Sequence, residues 1–252
     1  MSDSKIALVT GASRGLGRSM AGHLAAAGVG VIGTYHSNKQ EADALVAEVA
    51  GHGVPAAALQ LDVADSASFA DFAAEVRRTL AGFDAERFHY LVNNAGFGLH
   101  ASFATTTPDQ FDELFSVHVK APFFLTQTLL PLIADGGRIL NVSTGLARFT
   151  YPGAAAYAAA KGAVEVLTRY QAAELGDRQI RANVLVPGAI ATDFNGGVVR
   201  DNEQVNAHVA EAIALGRVGR PDDIGAAVPL ILADGFGWAN GGRIELSGGQ
   251  SL

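Results

Sequence analysis

Residues 6–17 read Ile6-Ala7-Leu8-Val9-Thr10-Gly11-Ala12-Ser13-Arg14-Gly15-Leu16-Gly17, and this stretch decides the fold. An apolar run of strand length passes directly into a glycine cluster, which then opens a run of helix length. Glycines at Gly11, Gly15 and Gly17 let the backbone turn tightly and approach a ligand, while a helix N-terminus offers N–H donors and positive potential. A strand, such a loop and a helix in that order form a cradle for a pyrophosphate. The spacing is GxxxGxG rather than the commoner GxGxxG.

Outward from this unit the same rhythm repeats. Apolar runs at 6–10, 30–35, 56–61, 90–93, 138–142, 182–186 and 243–246 predict strands. They are mostly unbroken rather than alternating, as strands covered on both faces require. Stretches at 15–27, 40–50, 66–80, 108–133, 154–175 and 221–233 predict helices, with Pro108 and Pro221 suited to first-turn positions. Repeated βα units imply an α/β fold in one doubly wound domain over 1–252, a parallel sheet with helices on both faces. The segment from Pro187 to about Arg220 breaks the rhythm and carries Gly196-Gly197. A loop of that size suggests a substrate lid over about 188–215.

Composition narrows the classes. The chain has 252 residues, 49% hydrophobic and 17% charged, enough for a large core. A formal charge of −7 without a Lys/Arg run argues against a nucleic-acid partner. Zero cysteines exclude disulfides and thiolate metal sites, and no metal-ligand spacing stands out among the histidines. The polar start Met1-Ser2-Asp3-Ser4-Lys5 reads as no signal peptide, and no apolar run approaches a membrane span. A soluble, cytoplasmic protein is expected.

Tyr157 and Lys161 in YAAAK lie one turn apart on one helix face. A phenol is a poor acid, with an ordinary pKa near ~10, and an ammonium beside it favours the phenolate. That makes tyrosine usable as a general acid or base.

TGASRGLG, then Asp62-Val63, Asn93-Asn94-Ala95-Gly96, YAAAK, Pro187-Gly188 with Thr192, and a closing Ser247-Gly248-Gly249 follow in order along the whole chain. This set resembles the short-chain dehydrogenase/reductase family, in particular its 3-oxoacyl-acyl-carrier-protein reductase-like branch. The resemblance implies a seven-stranded Rossmann fold, a nicotinamide cofactor and hydride transfer between it and a ketone or secondary alcohol. It places the cofactor against Gly11, Ser13, Arg14, Gly15, Leu16, Gly17, Asp62, Val63, Asn94, Ala95, Gly96, Tyr157, Lys161, Pro187, Gly188, Ile190 and Thr192. Asp62 would contact the adenine, Asn94 to Gly96 the adenine ribose side, and Ile190 and Thr192 the carboxamide. The second strand ends in Tyr35-His36-Ser37-Asn38-Lys39, with no acid to accept from a ribose 2′-OH. His36, Ser37 and Arg14 suit a 2′-phosphate, so NADP is expected over NAD.

In the family a serine hydroxyl polarises the carbonyl, tyrosine exchanges the proton, lysine grips the nicotinamide ribose, and an asparagine organises a water relay. Two positions depart from this. The residue thirteen before Tyr157 is Thr144, with Ser143 as the alternative hydroxyl; neighbours in an extended segment face opposite sides, so one of the two is expected to serve. His118 stands where the relay asparagine belongs and brings an ordinary pKa near ~6.5 and a pH dependence of its own. These two departures keep a second reading open, a non-catalytic NADP-binding sensor. The pocket is expected from Phe97, Leu99, Leu146, Phe149, Tyr151, Pro152 and the 190–215 loop, which suits an apolar carbonyl compound. An acyl-carrier partner would want a basic docking face, and only Arg138, Arg178 and Arg181 offer one near the Arg-free and Lys-free segment 129–137. Family habit and the apolar helices over 121–133 and 154–175 imply a homotetramer.

Overall fold

The computed structural model describes residues 5–252, and the polar-start reading at residues 1–4 lies outside them. Seven strands form one parallel sheet: β1 (Ile6–Val9), β2 (Gly30–Tyr35), β3 (Ala56–Gln60), β4 (Phe88–Asn93), β5 (Ile133–Val142), β6 (Arg181–Pro187) and β7 (Arg243–Leu246). Their order is β3-β2-β1-β4-β5-β6-β7. β1, β4 and β6 are buried at nearly every position, which is why their sequences do not alternate. Each face of the sheet holds its own apolar cluster. One gathers Leu8, Phe69, Phe72, Leu91 and Leu125. The other gathers Val9, Met20, Leu24, Leu45 and Val228.

Ten helices are described: α1 (Gly15–Ala26), α2 (Lys39–Ala50), α3 (Phe69–Gly82), α4 (Pro108–Phe115), α5 (Ala121–Leu129), α6 (Ala155–Glu174), α7 (Val198–Asp201), α8 (Glu203–Glu211), α9 (Pro221–Gly225) and α10 (Val228–Leu232). Two expected helices are not continuous. The 108–133 helix is α4 and α5 joined by a π-helical turn, Ser116–Lys120, and Ile133 already belongs to β5. Pro122 is the cause: it has no N–H for the carbonyl of His118 four residues back, and the chain shifts to i→i−5 bonding, with the Ala121 N–H on the Ser116 carbonyl. The 221–233 helix splits into α9 and α10 around Ala226-Ala227, since Pro229 removes the bond to Gly225. The long segment after β6 is not structureless. It carries α7 and α8, with Asn202 capping α8 through the Val205 N–H.

Strand order reverses at β1, between β2 and β4. A doubly wound sheet opens a crevice outside the carboxyl ends of its strands at such a point. The glycine loop, Asn93–Gly96, the residues after β5 and the segment after β6 all leave from those ends.

Candidate active site

The glycine loop is locked from behind. Gly11 has φ +64°, and a Cβ there would lie 2.9 Å from the Cα of Ala95; a Cβ on Gly17 would lie 2.2 Å from the Gly11 carbonyl oxygen. The Thr10 hydroxyl accepts from the Asn94 and Ala95 N–H groups, each at 2.9 Å. The Asn94 amide donates to the Thr10 carbonyl at 2.9 Å and the Gly11 carbonyl at 3.2 Å. Through its amide N–H groups the Asn94 side chain holds the loop. α1 begins with no side-chain cap and no acidic residue in its first turn, and the one carboxylate that approaches it, Asp193 beside Gly15, is paired with Arg14. The donor set fits an anionic dinucleotide: an uncapped helix N-terminus, Ser13, and the Arg14 guanidinium.

The other cofactor candidates spread along the crevice. His36, Ser37 and Asp62 are exposed at its outer end. The His36 Nε2 lies 3.7 Å from an Asp62 oxygen, and Asp62 accepts from the Ala64 N–H at 2.9 Å. Leu16 and Val63 pack partly against the two core clusters, so they shape the walls by volume. Pro187 ends β6, the Gly188 N–H donates to the Leu246 carbonyl at 3.1 Å, and Ile190 pairs with Gly219. Thr192 is buried, and its hydroxyl accepts from the Phe194 N–H. A cavity of about 620 Å³ beside the glycine loop is lined by Arg14, Gly15, Asn38, Thr192, Asp193 and Arg200, among others.

On α6, Lys161 is 6% exposed, its Nζ donates to the Val142 carbonyl at 2.8 Å, and it stands 5.8 Å from the centre of the Tyr157 ring. Desolvation pulls the Lys161 ammonium down to about 8 and pushes the Tyr157 phenol above its ordinary value. Burial thus acts on the phenol in the opposite direction to the lowering expected from the lysine. Phe194, from the segment after β6, approaches the phenol with ring centres 6.1 Å apart.

His118 is 2% exposed, and its ring meets Tyr157 edge-on with centres 5.2 Å apart. Its Nε2 lies 2.8 Å from the Phe97 carbonyl oxygen, which only accepts, so Nε2 carries the hydrogen. Nδ1 is left as a bare acceptor with no partner among the described residues. Burial, then the Lys161 charge, push the imidazole down to about 2, against the Phe97 carbonyl. The expected pH dependence from this histidine is therefore absent: it stays neutral. Gly96 makes room for it, since a Cβ there would lie 2.5 Å from His118 Cε1.

Ser143 and Thr144 separate as the extended chain demands. Ser143 is buried, and its hydroxyl donates to Glu165 at 2.7 Å. Thr144 has extended φ −155° and ψ 152°, is half-buried, and accepts from the Leu146 N–H at 3.3 Å.

Sequence reasoning did not single out Glu165, Asp193, Phe194 or Asn195. Asp193 pairs with Arg14 at 2.9 Å, and Asn195 packs so closely on Gly98 that a Cβ there would overlap its amide. The left-handed run Asn195 (φ +54°), Gly196 (φ +72°) and Gly197 (φ +75°) turns this segment across the cleft. Its signal was present in the letters Asn-Gly-Gly, favoured wherever φ is positive.

A family model described as enoyl-(acyl carrier protein) reductase matches residues 11–251. Together with the fold and the relatives below, it shows that the chain belongs to the short-chain dehydrogenase/reductase family of oxidoreductases. It is 33% identical to versicolorin reductase 1 of Aspergillus parasiticus, over 98% of this chain and 96% of that protein. It is 34% identical to tetrahydroxynaphthalene reductase PfmaG of Pestalotiopsis fici, over 97% and 91%. The solved structure of the angucycline C-6 ketoreductase LanV with bound NADP superposes with a TM-score of 0.93 at 32% identity, covering 98% of this chain and 96% of that one. No described helix is long and apolar enough to cross a membrane.

Proposed function

We propose that this protein is an NADPH-dependent ketoreductase acting on a flat, largely apolar ketone, of the size of a fused-ring aromatic polyketide. The observation that carries the proposal is Lys161 buried beside Tyr157 on one face of α6, at the mouth of the crevice. When bound, the nicotinamide supplies the hydride. Tyr157 holds the proton destined for the carbonyl oxygen, and Lys161, charged below about pH 8, stabilises the phenolate left behind. Thr144 accepts from Leu146, which leaves its own hydrogen to donate to the same carbonyl oxygen. The bare Nδ1 of His118 accepts from a relay water in place of the family's asparagine. Its neighbour Gly96 admits the ring.

Preference for NADPH rests on Arg14, Ser37 and His36 at the outer end of the crevice, and on the absence of an acid at the end of β2. The remaining cofactor residues keep the placements the resemblance implies. Flat aromatic substrates suit the rings of Phe97, Phe194 and Tyr157, and the relatives are named for versicolorin, tetrahydroxynaphthalene and angucycline reduction. An acyl-carrier partner is disfavoured: Arg178 is spent on Asp135 and the Leu130 carbonyl, Arg138 on Asp234, and Arg181 on the Ala239 carbonyl. A cytoplasmic homotetramer fits the family. Exposed Phe123 and Phe124 on α5 and Val166 and Tyr170 on α6 support the assembly.

The test is NADPH oxidation across fused-ring ketones, simple ketones and 3-oxoacyl thioesters, with Y157F alongside. Turnover on fused-ring ketones, reduced about 10²-fold or more in Y157F, is expected. Tight NADPH binding without turnover on any of them would move the protein to the sensor reading.

A further inference from the structure

Two adjacent hydroxyls, Ser143 and Thr144, follow directly on β5, and the structure treats them differently. α6 grips the strand end at two successive positions. Lys161 takes the Val142 carbonyl, and Glu165, one turn further on the same face, takes the Ser143 hydroxyl at 2.7 Å. A second contact of that hydroxyl, to the Lys161 carbonyl, is longer at 3.4 Å. A serine has one hydrogen to give, and the charged, shorter bond takes it.

The Glu165 side chain is only 16% exposed, and its charge is balanced from β7. Arg243 donates to Glu165 at 3.3 Å and also pairs with Glu245. Glu245 accepts from Arg148 at 2.9 Å and from the Ser247 hydroxyl at 2.8 Å. Two arginines and two glutamates thus close a neutral network. The same arginine, Arg148, reaches the carbonyls of Gln250 and Ser251, so the segment after β5 is tied to the C-terminal strap.

We propose that Glu165 is a positioning residue: by holding Ser143 inward through this network, it forces Thr144 to be the hydroxyl presented to Tyr157 and the substrate carbonyl. Successive residues of an extended chain point to opposite sides, so fixing one fixes the other. A flip would exchange them, setting the branched and rotamer-restricted Thr144 side chain against α6 in the buried place that the smaller Ser143 now fills. Ser143 is then an anchor with no contact to substrate. This inference rests on the proposed ketoreductase chemistry and assigns its oxyanion donor.

The variants are S143A, E165A, E165Q and S143A/E165A, with T144A for comparison. Turnover is read on a ketone that the wild type reduces, and NADPH affinity by fluorescence. T144A is expected to lose about 10²-fold or more in kcat. S143A and E165A are each expected to lose about tenfold in kcat, with the NADPH dissociation constant within twofold. The double variant should match E165A, because S143A removes only the Ser143–Glu165 bond that E165A has already removed. E165Q, whose amide oxygen still accepts from Ser143, should recover to within about threefold of wild type. T144A keeping its rate while S143A falls to background would overturn the proposal, as would an E165A enzyme with unchanged kcat. Threonine methyl NMR supplies a readout that needs no substrate. The Thr144 signal should move in S143A and E165A and stay in place in E165Q. An unmoved Thr144 methyl in E165A refutes the positioning role even if no ketone is turned over, while a moved one supports it independently of the ketoreductase reading.

Discussion

Replacing Lys161 by methionine should stabilise the protein while disabling it. The ammonium is 6% exposed, and desolvation takes it from 10.5 to about 8. At about 1.4 kcal/mol per pKa unit, holding it charged in the fold at pH 7 costs about 3 kcal/mol. Methionine matches the stem and removes that cost. It also strips the Val142 carbonyl of its donor, a loss of about 1 kcal/mol. The net gain is about 2 kcal/mol, or roughly 4–8 °C in Tm for a chain of this size. Because the folded-state value lies below the unfolded one, the cost is complete below about pH 8 and fades as the pH climbs toward 10.5. The advantage of K161M should therefore be full at pH 7 and nearly gone at pH 10. Urea unfolding at both pH values measures it, with kcat in parallel falling about 10²-fold or more. A K161M protein less stable than wild type by the same margin at pH 7 and pH 10 would refute the reasoning, since it would show that the ammonium is not held against its solvation.

Two further outcomes follow from the same geometry. Arg14 is 75% exposed in its pair with Asp193, a contact worth at most about 1 kcal/mol, so a 2′-phosphate displaces it readily. R14A should weaken NADPH binding about 10- to 100-fold and NADH binding less than threefold, measured by fluorescence titration; equal losses would place Arg14 elsewhere. His118, pushed down to about 2, stays neutral throughout the working range. H118N should lower kcat about tenfold or less and leave the pH profile between 5 and 8 without any added or missing ionisation limb. A wild-type limb near ~6.5 that vanishes in H118N would contradict the buried, neutral ring.

The expected strands match β1, β2, β3, β6 and β7 closely, because strands buried on both faces write themselves as short apolar runs between turn residues. The 108–133 stretch departs from one continuous helix at Ser116–Lys120 and again at its end, where Leu130–Leu132 tightens and Ile133 opens β5. Helical periodicity continues through Ser116–Lys120, but Pro122 withholds a single backbone bond, and that local defect sets the π turn on which His118 sits. β5 begins five residues earlier than the apolar run suggests, because Ile133 pairs with Phe88 while Ala134-Asp135-Gly136-Gly137, which carry no strand pattern, bulge out of register before Arg138 meets Tyr90.

The same division holds at the site. The sequence by itself determined the order of the parallel sheet's building blocks, the phosphate-cradling turn and the Tyr157–Lys161 face, for each depends on neighbours within one helical turn or one strand–loop–helix unit. Only the tertiary structure decided that Ser143 turns inward to Glu165, that His118 loses its titration beside Lys161, and that Asp193 reaches Arg14. Those outcomes depend on burial and on partners 22, 43 or 179 residues away along the chain, and no local pattern of residues encodes who will be packed against whom.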